Sequence, residues 1–242
     1  TRRGTILFSH GNASAPWKYE PLVTKWTASG FEIHAPLHVD SEDHPERDEF
    51  EGLASWKARL QDMHTLTTVL GDSPRIAAGH SYGALVALTL GGIGAIAPEG
   101  YHGPLRDKHT VAVIAFSPPG PIPVLALGKA YESLNVPALI QTGDLDVPPG
   151  NNPSAWKTHM TAFDHALPGG HRYALILEGV DHYFGGLICR EDVGGPDQTE
   201  QLRYAADVSA LFALGFGNSD SEARGALNRR LSDRWPRKLL RK

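Results

Sequence analysis

Ile76-Ala77-Ala78-Gly79-His80-Ser81-Tyr82-Gly83-Ala84-Leu85-Val86-Ala87-Leu88-Thr89-Leu90 decides how the rest of the chain is read. A short apolar run leads into Gly79-His80-Ser81-Tyr82-Gly83, which spells Gly-x-Ser-x-Gly. The apolar run that follows is long enough for a buried helix. The order strand, sharp turn, helix places a serine at the turn. Such a turn is tight, and a side chain two residues from the serine would clash, which accounts for a glycine on each side. The serine Oγ is then expected at the C-terminal edge of a sheet. It sits beside the N-terminus of a helix, whose amides favour negative charge. Gly, Ser and Gly are common residues, so the setting rather than the letters gives the motif its weight.

On the N-terminal side, Thr5–Phe8 reads as a buried strand running into Ser9-His10-Gly11-Asn12. A helix is expected over Tyr19–Ser29 with Gly30 as its stop, and a second strand over Phe31–Ala35 closed by Pro36. The polar stretch from His38 to Glu49 reads as a solvated acidic loop. Gly52–Leu70 reads as an amphipathic helix with Leu53, Trp56, Leu60, Met63 and Leu66 at helical spacing. On the C-terminal side, Thr110–Phe116 is the clearest central strand. A proline-rich segment, Ser117 to Asn135, reads as a short cap. Val136–Thr142 and Tyr173–Leu177 are further buried strands, and Ser154–Ala166 and Thr199–Phe216 are helices. Six strands alternating with helices predict an α/β fold: a mostly parallel central sheet with helices on both faces.

Composition sets bounds around that pattern. With 242 residues the chain can hold one large α/β domain, and the absence of an internal linker predicts a domain over 1–216 followed by a basic tail, 217–242. A formal charge of −4 gives no general attraction to nucleic acid. Cys189 is the single cysteine, so an intrachain disulfide and a thiolate metal cluster are both ruled out, and it reads as a small buried hydrophobe. That favours a reducing compartment, such as the cytoplasm, and leaves export open. The chain starts at Thr1 almost on a strand, which gives no reading of targeting. The cluster His34, His38, Asp40, Asp43, His44 and Asp48 matches no usual zinc spacing. No Gly-x-Gly-x-x-Gly or Walker sequence is present, so no cofactor is expected.

In open α/β sheets the ligand site lies beyond the C-terminal strand ends. There the sequence places His10-Gly11-Asn12, then Ser81, then Gly143-Asp144-Leu145-Asp146-Val147, then Gly179-Val180-Asp181-His182-Tyr183. Serine, acid and histidine follow three separate strands in the order of the α/β-hydrolases, a family the chain resembles over nearly its whole length. The spacing and short cap are similar to the compact dienelactone-hydrolase-like, platelet-activating-factor-acetylhydrolase-like and cutinase-like esterases. Dienelactone hydrolases proper, however, carry a cysteine where this elbow has Ser81.

The resemblance implies an α/β-hydrolase fold and a serine esterase. Ser81 is its nucleophile, His182 its base, and Asp146 its acid, with Asp144 as the rival carboxylate. Asp181 is expected in a supporting role. The backbone N–H groups of Asn12 and Tyr82 are the expected oxyanion donors. Trp17, Pro118, Val147, Tyr183 and Phe184, with Tyr82, are expected around a substrate pocket for a small-molecule ester. His165 and His171 are expected on the surface. An amidase or peptidase on the same site, and a non-catalytic binding protein on the same fold, are the alternatives. The tail carries eight Lys/Arg against three acidic residues, with Leu227, Leu231, Trp235 and Leu239 near helical spacing. Packing on its own domain or a second subunit, or plain solvation, is favoured over contact with an anionic membrane. Oligomeric state stays open.

Overall fold

The computed structural model describes residues 2–50, 52–147, 151–169 and 171–242. Among the described residues, seven strands form one sheet: β1 (Gly4–Ser9), β2 (Phe31–His34), β3 (Arg75–His80), β4 (Thr110–Phe116), β5 (Ala138–Gly143), β6 (Arg172–Leu177) and β7 (Arg237–Arg241). Their order is β2-β1-β3-β4-β5-β6-β7, parallel throughout except for β7, which runs antiparallel to β6.

Interior strands are apolar on both faces because helices cover both faces. Successive side chains alternate. Ile6, Phe8, Ile76, Ala78, Ile114, Phe116, Leu175 and Leu177 pack on one side with α1 (Glu20–Ala28) and α5 (Thr199–Gly217). Leu7, Ala77, Val113, Ala115, Ile140 and Ile176 pack on the other with α2 (Trp56–Leu70), α3 (Tyr82–Leu90) and α4 (Thr161–His165). All nine residues of α3 are buried, which explains why that helix is apolar all round. Trp26 Nε1 donates to Ser209 Oγ at 2.9 Å, tying α1 to α5 and satisfying a buried indole.

Two expectations about the chain change here, the helical spacing near its C-terminal end and the solvated loop after β2. The segment after residue 216 is built into the fold. After α6 (Ser221–Asn228), the last residues form β7, with Leu239 buried in the core. Helical spacing therefore holds only through Leu227. Beyond it, edge pairing with β6 overrides the period-four pattern, and the exposed Arg237 and Arg241 of β7 protect the sheet edge. The loop after β2 is also not a purely solvated one: His38, Asp40 and Ser41 are buried.

The chain leaves β1 for β2 on one side and returns to the other side of β1 as β3. The loops after β1 and β3 therefore diverge, opening a crevice at their C-terminal ends. At this crossing β1 and α3 approach closely. A Cβ on Gly83 would lie 2.0 Å from Ser9 O, and one on Gly79 would lie 2.2 Å from Gly83 O. Both obstacles are backbone, so neither can swing aside. We predict that Gly83→Ala lowers stability by roughly 3 kcal/mol or more. Gly169→Ala, whose Cβ would meet nothing within 4 Å, should stay within about 0.5 kcal/mol. Urea unfolding of the two variants against wild type checks both.

Candidate active site

Ser81 is the N-cap of α3, with φ 54° and ψ −122°. This backbone region is costly for a residue with a Cβ, of order 1–3 kcal/mol. Flanking bonds hold it: Ser81 N–H donates to Phe116 O at 2.8 Å, and Ala84 N–H donates to Ser81 O at 2.9 Å. The turn lifts the serine out of the sheet at the mouth of the crevice.

The loops after β5 and β6 bring Asp146 to His182. Asp146 Oδ1 lies 2.7 Å from His182 Nδ1, and Asp146 Oδ2 accepts from Thr142 Oγ1 at 2.9 Å. A second imidazole reaches the same carboxylate, with His159 Nε2 3.0 Å from Oδ1. Burial alone would raise the Asp146 carboxyl. The two imidazoles, His182 foremost, outweigh it and hold the group well below the usual carboxylate range. With Nδ1 of His182 engaged, Nε2 is the nitrogen available to the cavity. Asp144 plays a different part. Its Oδ1 accepts Gly179 N–H at 2.6 Å, joining the loop after β5 to the one after β6. Asp181 accepts from Tyr183 N, Gly185 N and Gln198 Nε2, bracing the turn that carries His182.

Three of the loops share one chain of bonds. His80 is fully buried, and its Nε2 lies 2.9 Å from His182 O. A carbonyl can only accept, which assigns the proton to Nε2. Nδ1 therefore accepts from Tyr19 Oη at 2.9 Å, and Tyr19 Oη accepts Gly11 N–H at 2.9 Å. Burial, helped by the neighbouring His182, pushes His80 down to about 3, so it stays a neutral linker.

A cavity of about 500 Å³ opens at these loops, with Ser81, Asp146, Val147, His159, His182 and Tyr183 among its walls. A smaller hollow of about 220 Å³ is lined by Asn12, Ser81 and Tyr82 with Leu53, Pro119 and Ile122. Ser81 and Pro119 belong to both. Two other hollows of similar size, one beside α2 and Arg106–His109 and one between α1 and α5, contain none of these groups. Chemistry rather than size singles out the crevice.

Of the residues expected around the pocket, Val147, Tyr183 and Tyr82 line these hollows. Three others are placed elsewhere. Trp17 is 58% exposed on the 3-10 turn before α1. Phe184, at φ 53°, turns its ring into the core and is fully buried. Pro118 contributes its carbonyl, which faces His159 Nδ1 at 2.7 Å, while Ser117 and Pro119 on either side form the wall. Donor atoms of Asp146, His159 and His182 lie within 4.8 Å of one another, a grouping of the kind that can hold a cation. Here each is already engaged in the bonds described, and we read the three as an acid between two imidazoles.

No family model matches the sequence, and no curated protein does. Solved structures do resemble it. It superposes on a thermophilic esterase of the planctomycete Thermogutta terrifontis with a TM-score of 0.60 at 15% identity, over 90% of this chain and 83% of that one. For a monoacylglycerol lipase of Paleococcus ferrophilus the values are 0.59, 13%, 87% and 95%. For the esterase domain of a Rhodothermus marinus protein they are 0.56, 12%, 89% and 88%. The chain has the α/β-hydrolase fold.

Within this hydrolase fold a buried polar layer supports the loop after β1, and sequence reading missed it. Arg59 of α2 is fully buried and grips Asp40 with Nε to Oδ1 at 2.9 Å and Nη2 to Oδ2 at 2.8 Å. The same guanidinium donates to His10 O at 2.7 Å and to Gly11 O at 3.1 Å, and its centre lies 4.7 Å from the Tyr82 ring centroid. Gly11 O also faces His10 Nδ1 at 2.7 Å. In a trans peptide N–H and C=O point opposite ways. Fixing Gly11 O on Arg59 therefore aims the Asn12 N–H away from Arg59. His38 completes the layer. Its N–H donates to His10 Nε2, its Nε2 contacts Ser9 Oγ, and its Nδ1 lies 2.7 Å from Asp62 Oδ2. Burial keeps His10 and His38 neutral and pushes Asp62 up to about 6.

The available signal was Arg59 itself, a charge on the apolar stripe of Trp56, Leu60 and Met63. Removing it leaves Asp40 buried without a counter-charge. We predict that Arg59→Met destabilises by roughly 3–5 kcal/mol and that Arg59→Met/Asp40→Asn recovers part of the loss. A double-mutant cycle by chemical denaturation measures this coupling.

Proposed function

We propose that the protein is a serine hydrolase that cleaves carboxylic esters through an acyl-enzyme. The observation that carries this is the 2.7 Å contact between Asp146 Oδ1 and His182 Nδ1, at the wall of the cavity that also holds the strained Ser81. Ser81 Oγ attacks the ester carbonyl while His182 Nε2 takes its proton. Asp146 keeps the imidazole in the Nδ1–H tautomer and stabilises the imidazolium. The developing oxyanion lies between the N–H groups of Asn12 and Tyr82, which share the smaller hollow with Ser81. One such donor is worth on the order of 3–4 kcal/mol in the transition state. His182 then protonates the leaving alcohol, and water, deprotonated by the same nitrogen, releases the acid. Two hollows meeting at Ser81 suit the two sides of an ester, acyl group and alcohol. Esterase and lipase names among the similar structures agree with this chemistry, and the Thermogutta terrifontis esterase is itself described as phosphoramylated by tabun.

A binding protein on the same fold would have no use for a serine held at φ 54° beside a histidine already paired with an acid. We predict that Ser81→Ala abolishes hydrolysis of p-nitrophenyl esters with unchanged circular dichroism. Asp146→Asn should lower kcat by orders of magnitude, about 10⁴ in the best-studied triad. Asp144→Asn should lower it far less, because that carboxylate only holds Gly179 N–H. Full activity in Ser81→Ala would overturn the proposal, and the reverse ranking of the two aspartates would reassign the acid. The same esters taken in rising chain length read out the acyl preference.

A further inference from the structure

His159 is buried, and both its ring nitrogens face oxygen acceptors. Nδ1 lies 2.7 Å from the Pro118 carbonyl, and Nε2 lies 3.0 Å from Asp146 Oδ1. A carbonyl and an ionised carboxylate can only accept. A neutral imidazole carries one N–H, so it would press a lone pair against one of these oxygens, with Nε2 itself out of reach of water. Only the doubly protonated ring presents an N–H, and no lone pair, to both oxygens. The Nε2 contact lies off the axis of a good hydrogen bond, so it acts chiefly as an ion pair.

We propose that His159 is a positively charged positioning residue of this site: it holds Asp146 between two imidazoles, and turnover depends on its proton as well as on the state of His182. The inference rests on Asp146 being the acid of the triad. Among the described residues, the ionisable groups facing His159 are Asp146 after β5, His182 after β6 with ring centroids 5.7 Å apart, and His80 at the end of β3. Asp181 and Tyr183 line the same cavity, and Lys157 on its own segment is exposed. Burial alone would lower His159; the close Asp146 carboxylate and its charge, with the Pro118 carbonyl, outweigh it and raise the group above its ordinary value.

The sign follows. The charge on His159 is present at low and neutral pH and is lost as pH rises through its raised value. Losing it turns a lone pair onto an oxygen and frees Asp146 on one side. Turnover should therefore fall on the alkaline side as one proton leaves.

The test is kcat against pH for wild type, His159→Gln and Ser81→Ala, with ¹⁵N spectra of the histidine rings of the wild-type protein. The expected result is that His159→Gln keeps Ser81-dependent turnover, lowered at neutral pH by roughly tenfold, about 1.4 kcal/mol in the barrier. Its alkaline limb should vanish. The spectra should show both nitrogens of His159 protonated at neutral pH, a readout independent of how the variant folds. A pH profile of His159→Gln that superimposes on wild type, or one bare nitrogen on His159 at neutral pH, would overturn the inference and leave the triad standing. Undiminished turnover in Ser81→Ala would remove the triad, and the positioning role of His159 with it.

Discussion

A single buried imidazole holds the site together. His80 stands between the two glycines of the elbow, beside Ser81, and joins the loops after β1, β3 and β6 through Tyr19 Oη and the His182 carbonyl. Each member has one donor and one acceptor used, so the chain runs in one direction from Gly11 N–H to His182 O. Such a network is strong only when complete, because an unpaired buried polar group costs about 1–3 kcal/mol. It places the loop bearing Asn12, the turn bearing Ser81 and the loop bearing His182 in one frame, which loops at a sheet edge would not otherwise keep.

Arg59 and the layer around it form the second frame, on the α2 side of the sheet. A guanidinium suits this place because its planar fork can serve a carboxylate and two carbonyls at once. Its charge is matched by Asp40, while His10 and His38 stay neutral through burial and relay hydrogen bonds without adding charge. The peptide after Gly11 is thereby oriented from beneath. The site thus depends on side chains from the 3-10 turn before α1, from α2 and from the loop after β2 that never reach the cavity holding Ser81 and His182.

Much of this was legible in the chain, for a physical reason. Strands covered on both faces must be apolar on both faces, so Thr110–Phe116 and its neighbours stand out. Ser81, Asp146 and His182 each follow such a strand, and the structure brings the last two to hydrogen-bond distance and all three to one cavity. The parts that were not legible depend on distant partners. His38 and Asp40 look like a solvated loop until Arg59, 19 residues beyond Asp40, buries with them. His159 lies on a 3-10 segment with no periodicity to mark it, and only the fold carries it to Asp146. Leu231, Trp235 and Leu239 repeat at helical spacing, yet the free edge of β6 draws the last of them into a strand. Phe184 sits beside the right loop but points the wrong way, because one positive φ decides its direction.

The most direct measurement is covalent. A fluorophosphonate reacts with a serine only where a base takes its proton and donors hold the phosphoryl oxygen, so it reads nucleophile, base and oxyanion site in one experiment. The wild-type protein treated with such a probe, digested and analysed by mass spectrometry should carry one adduct, on the peptide containing Ser81, and His182→Ala should carry almost none. An unlabelled wild-type protein, or an adduct at another residue, would contradict the account.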